Sequence, residues 1–199
     1  MRAEMAVSDR PREEGASARP GTRLVRQAVL GAAAGVLAGL VMNQFARAVS
    51  AATGGREAES AAPGSDRTGR GVQPPQAAGR SHEDAAVRMG ARVYRAATGR
   101  EPRRRDRPLL GSLAHVGFGA SAGACYAVLA DGLPFIRFGH GTLYGTAVWA
   151  VADELVTPAL GLSRGPRELG PGVHAYALAG HWVYGAALET VRRLGSRQA

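Results

Sequence analysis

Residues 24–46 read LVRQAVLGAAAGVLAGLVMNQFA. The length is close to the ~20 residues an α-helix needs to cross a hydrocarbon core. From Ala28 to Met42 the run is apolar all round rather than on one stripe, the pattern of a helix that meets lipid or is wholly buried. Gly31, Gly35 and Gly39 fall four residues apart, so one edge of this helix is almost bare backbone. That spacing lets two membrane helices approach closely. Arg23 and Arg26 flank the run and can snorkel toward headgroups, and Asn43 and Gln44 belong near the far interface or against other helices. The same basic flanks and Ala46-Arg47-Ala48 would also suit a cleavable export signal, which the long polar stretch before it argues against.

Three further stretches repeat the pattern, near 109–130, 138–157 and 173–191. Two of them carry glycines four apart, Gly119 with Gly123 and Gly141 with Gly145. The expected fold class is therefore all-α, a polytopic membrane protein built as a compact bundle of about four transmembrane helices plus one amphipathic helix. The expected spans are 23–50, 109–131, 138–157 and 173–193. Pro158 ends the third, and the short turn Asp131-Gly132-Leu133-Pro134 makes the second and third antiparallel neighbours. A soluble helical bundle is the competing architecture, and the all-round apolar runs weigh against it.

Between the spans the composition changes. Residues 1–22 are mixed in charge and punctuated by Pro and Gly, and read as a disordered tail. Residues 51–80 are rich in Gly, Pro, Ser, Ala and Arg and read as a flexible linker. Ser81 followed by Asp84 has the form of a capping box and introduces an amphipathic helix over 81–100. On it Val87, Gly90, Val93, Tyr94 and Ala97 share one face, and Arg88, Arg92 and Arg95 lie away from it. The mean hydropathy of -0.12 averages these polar segments with the apolar ones.

All 25 basic residues are Arg, and the formal charge is +9. The excess suits an anionic lipid surface. It is not accompanied by a nucleic-acid-binding motif or by aromatics that would stack bases, so nucleic acid is not an expected partner. Membrane lipids are the expected partners, the glycine ridges would also serve a homo-oligomer, and no substrate is indicated. Most of the arginines precede the second span, which by the positive-inside rule favours a cytoplasmic location for that segment. Its length is near the ~60 residues where the rule weakens, and the orientation stays open. The single Cys125 reads as a small packing residue.

Ionisable residues inside the apolar stretches are the candidates for function. His115, Gly119, Ala122 and Tyr126 share one face of the second span, and His174, His181 and Gly185 align on the fourth. Gly141, Gly145, Trp149 and Asp153 follow one ridge of the third, with Glu154 a quarter-turn away. A charge at the bilayer centre costs at least ~2.5–3.5 kcal/mol, so such groups need partners or water. The candidate polar cluster is His115, Asp153, Glu154, His174 and His181. It has two readings: interhelical hydrogen bonds that fix helix register, or proton- and ion-contacting groups, since imidazole titrates between about pH 5 and 8. No catalytic, nucleotide or metal-binding motif is present, so the chain is expected to be non-enzymatic, with no cofactor and no metal.

Gly141-Thr-Leu-Tyr-Gly145 leading through Trp149 to Asp153-Glu154, then Pro158-Ala-Leu-Gly161-Leu162, His174, His181-Trp-Val-Tyr184-Gly185 and Glu189 before Arg192-Arg193 form a distinctive series. With Val41-Met42-Asn43-Gln44-Phe45 and His115, Gly119, Gly123 and Tyr126, it resembles the YagU-like family of bacterial inner-membrane proteins, a domain of unknown function. The resemblance spans most of residues 24–193 apart from the linker. It implies a multi-pass inner-membrane protein involved in envelope or acid-stress homeostasis, and no catalytic residues. The alternative is a proton- or ion-coupled conduit using the intramembrane His and acidic residues.

Overall fold

The computed structural model describes residues 20–60, 75–163 and 169–196. Every regular element among them is helical. Helix α1 spans Pro20–Ser60, α2 Pro75–Thr98, α3 Arg107–Gly132, α4 Thr142–Trp149 and α5 Pro171–Ser196. A π-helical segment, Ala150–Val156, and a last turn, Thr157–Ala159, continue α4.

Two helical segments, Gly21–Thr53 and Arg104–Gly132, are long and apolar enough to cross a membrane. The expected third and fourth spans fold as helices but fall short of that standard. The third is interrupted by the π segment and Pro158, and α5 carries His174, His181, Glu189, Arg192 and Arg193 within its length. The expected boundaries shift elsewhere too. The segment read as linker from residue 51 is helical as far as Ser60 and again from Pro75, leaving 61–74 outside the described residues. The Ala-rich run 46–52 favours helix over coil, and Pro75 sits at the first position of α2, where its missing N–H costs nothing. Ser81 and Asp84 therefore lie within α2 rather than at its start. The expected tail lies outside the described residues as far as residue 19.

Helix α1 runs antiparallel to both α3 and α5. At one end Gln27 Nε2 donates to Asp131 Oδ2 at 2.6 Å, and Arg23 lies 3.7 Å from the same carboxylate. At the other the rings of Phe45 and Tyr176 stack with centroids 6.4 Å apart. Between these ends the glycines set the spacing. A Cβ on Gly31 would come within 2.5 Å of the Gly123 oxygen and the Ala127 methyl, and one on Gly35 would overlap the carbonyl of Gly119. Only Gly permits that approach. Gly39 is the exception, since a Cβ there would meet nothing.

A second pair repeats the device. Gly141 and Gly145 of the α4 segment face the backbone of α5, where added Cβ atoms would overlap the carbonyls of Gly185 and His181. Gly141 has φ 87°, and follows Gly139 and His140 at 60° and 59°, so this turn is left-handed throughout. Helix α2 packs on the first half of α3 by the same means, Gly90 against Leu110 and Gly111 against Val87. Its buried face holds Ala85, Gly90 and Ala91, whereas Val93 and Ala97 of the expected face are exposed. Arg88 and Arg92 turn back toward the protein, donating to the carbonyl oxygens of Leu162 at 3.2 Å and Leu160 at 2.6 Å.

In cross-section the order around the bundle is α3, α1, α5, α4, with close backbone packing at each of the three junctions. The α3–α4 side lacks it. There the link is a side chain: the Tyr144 hydroxyl donates to the Ala122 carbonyl at 2.6 Å. The core inside this arrangement is Ala34, Ala38, Tyr126, Ala130, Tyr184 and Leu188 with their neighbours.

Candidate functional site

The polar residues begin with the π segment. Pro158 has no N–H to give the carbonyl of Glu154 and its ring crowds that carbonyl, so regular α geometry cannot continue through it. The chain widens by one residue per turn instead, and the Thr157 N–H bonds Ala152 O in the i→i−5 manner. The Thr157 hydroxyl donates to the same oxygen at 2.5 Å. The widened turn carries Asp153 and Glu154, and the two neighbours reach different histidines on α5.

Glu154 Oε1 accepts from His174 Nδ1 at 2.6 Å, near the Pro158 end of the bundle. Asp153 Oδ2 lies 3.7 Å from His181 Nδ1. A helical side chain leans back over the turn before its own Cα, which brings the His181 ring toward Asp153 although its backbone is level with Gly145. His181 Nδ1 is also 2.9 Å from the Ala177 carbonyl, which can only accept, so this nitrogen carries a proton. His181 is buried, 6% exposed.

His115, from α3, completes the group. With Asp153, His181 and Tyr184 it lines a small cavity of about 70 Å³ between α1, α3, α4 and α5. The cavity shares His115, Phe118, Val148 and Asp153 with a larger groove of about 500 Å³ between α3 and α4, closed at one end by Ala85 and Met89 of α2. The five candidate residues thus separate into two sites. His115, Asp153 and His181 surround one space, while Glu154 and His174 form a pair of their own. Among the described residues no three His, Cys, Asp or Glu side chains stand where they could share a metal ion.

Toward the Asp131 end the interior is closed by aromatic rings and hydrogen bonds. Tyr126 and Tyr144 pack with centroids 4.9 Å apart, and the Tyr184 hydroxyl donates to Gly119 O at 2.6 Å. Glu189, with no exposed surface, accepts from the Tyr126 hydroxyl at 2.6 Å, from Arg192 at 2.7 and 2.9 Å, and from Arg193 at 2.6 Å. Sequence reasoning left this group out of the candidate cluster. The available signal was the Glu-x-x-Arg-Arg spacing, which sets both guanidinium groups on the Glu189 face. These contacts hold α3 to α5 and serve structure.

The family model for a protein of unknown function, DUF1440, matches residues 88–190. No curated protein and no solved structure matches the chain. The matched span runs from within α2 nearly to the end of α5 and holds all five candidate polar residues and Glu189, while α1 and its glycines lie before it. The YagU-like resemblance is consistent with this family. Since the match covers 103 of the 199 residues, the chain belongs to the DUF1440 family of proteins of unknown function.

Proposed function

We propose that the protein is a non-enzymatic, four-span integral protein of the bacterial inner membrane that supports envelope or acid-stress homeostasis. One observation carries this reading: helices joined backbone to backbone through glycine present large apolar side chains outward. Val29, Leu30, Leu37, Leu109, Leu113 and Leu155 are each more than half exposed. An apolar girdle of this kind is costly in water and suits hydrocarbon, and small-residue contacts are how membrane helices associate. Lipids are the corresponding partners. The testing experiment is membrane accumulation of Gly35→Leu and Gly145→Leu, both expected to fall well below wild type. Equal levels and equal association in detergent for both variants would count against the proposal.

A second reading, a proton- or ion-coupled conduit, draws on the convergence of His115, Asp153 and His181 on one cavity. The tyrosines and Leu188 close the interior beyond it, so a path through would need that packing to open. Vesicles reconstituted with the protein should then show a pH-dependent flux that His181→Ala reduces, and flux no greater than in empty vesicles removes this reading.

A further inference from the structure

The α3–α4 groove has features that the bundle's architecture does not require. Its volume of about 500 Å³ falls within the ~300–1,000 Å³ range of small-ligand pockets. Its wall is mostly apolar, formed by Phe118, Ala147, Val148, Val151 and Val156 among others. The three hydroxyls on it are turned to backbone, Ser121 donating to Gly117 O at 2.8 Å, Tyr144 to Ala122 O and Thr157 to Ala152 O. Charge is placed only at the inner end, where Asp153 and His115 stand and the small cavity with His181 continues inward. Glu154 is directed away, to His174. No arginine occurs among the described lining residues, although arginines outnumber carboxylates 25 to 16 in the chain. Of the groups at this end only Asp153 ordinarily carries a full charge at neutral pH, with the imidazoles of His115 and His181 beside it, so a cation is favoured over an anionic headgroup.

We propose that this groove binds a membrane-soluble amine, an amphiphile whose apolar tail lies between α3 and α4 and whose protonated nitrogen rests against the Asp153 carboxylate. Tail burial supplies most of the attraction, and the charge-assisted hydrogen bond supplies the selectivity. The inference relies on the membrane reading only for the route of entry, through the open side facing lipid.

The chain's one cysteine makes the test direct, because Cys125 is exposed and lines the groove. The rate of Cys125 alkylation by N-ethylmaleimide is measured on the full chain in detergent micelles, with dodecylamine, dodecanol or dodecanoate added. The three probes share a tail and differ in head charge. Dodecylamine should protect Cys125 at about one-tenth the concentration of either other probe, the scale of a hydrogen bond between charged groups. Asp153→Asn should erase that preference, and Ala147→Trp, which fills the groove from an exposed position, should weaken protection by all three. Equal protection by the three probes of the wild-type protein, or protection by none, overturns the proposal even if Asp153→Asn does not fold. Retention of the amine preference by a folded Asp153→Asn variant overturns it as well. A protein that stayed dispersed without detergent would sink the membrane reading and leave this assay to be run in buffer.

Discussion

At the scale of single residues, glycines that look alike in sequence do different work. Gly31, Gly35 and Gly39 form one ridge on paper, yet a methyl group on Gly35 would overlap a carbonyl and one on Gly39 would meet open space. Gly35→Ala should therefore cost about 1–3 kcal/mol by overpacking. Gly39→Ala should be neutral or stabilise by roughly 0.5–1 kcal/mol through helix propensity. Denaturant midpoints in detergent decide this, and equal shifts would refute the pairing of α1 with α3. Gly141 carries two demands at once, a left-handed φ and contact with Gly185, so Gly141→Ala should lose more than Gly35→Ala in the same assay. Tyr126→Phe removes one of the donors to buried Glu189, and should destabilise by about 1.5–3 kcal/mol with the helix content unchanged. The spacing of the glycines was legible in the sequence. Which of them touch a neighbour was not, because that depends on the rotation of each helix against a partner far along the chain.

Among the elements, α4 is the one whose sequence and structure differ most instructively. The ridge of Gly141, Gly145, Trp149 and Asp153 assumes 3.6 residues per turn, and the π segment breaks that count after Trp149. Pro158 was read as a stop, whereas the chain accommodates it by widening the preceding turns and continues to Ala159. Adjacent residues on a helix already point about a quarter-turn apart, and here Asp153 and Glu154 serve two sites. For α2, the presence of an amphipathic helix was visible, but its start was not, and Arg88 and Arg92, expected to lie away from its packing face, hold it to the 160–162 loop. Their carbonyl partners lie 68 and 74 residues away, beyond what local periodicity can register. Replacing both Arg88 and Arg92 with Ala should speed amide exchange over residues 85–98 by about tenfold for each 1.4 kcal/mol of anchoring lost. Exchange at the wild-type rate would mean that the Gly90 and Gly111 contacts suffice.

For the whole molecule, the antiparallel order of the helices makes a definite statement about sides. Arg23, Asp131, His140 and Arg193 lie at one end of the bundle, and Arg100, Leu160 and Pro171 at the other. In a Cys125→Ala background, single cysteines at Asp131 and Arg193 should react with an impermeant thiol reagent from one face of the membrane. Cysteines at Arg100 and Leu160 should react only from the opposite face. Labelling of all four from the same face would rule out the four-span arrangement. The helical class and the approximate places of the helices were readable from apolar runs and glycine spacing. The order around the bundle was not, since α1 packs beside α5 although it stands furthest from it in the chain.

The Tyr144 hydroxyl, reaching across to Ala122, is the clasp on a ring that is otherwise welded. At two junctions, α1 with α3 and α4 with α5, glycines bring main chains into contact, and at a third, α1 with α5, the Met42 side chain and the Phe45 and Tyr176 rings fill the gap. The fourth is held by a phenol that needs only to swing about two bonds. In a bilayer, a lateral squeeze or stretch would therefore be taken up at this seam before anywhere else. Such yielding would open or narrow the mouth above Asp153 while leaving the other three junctions intact.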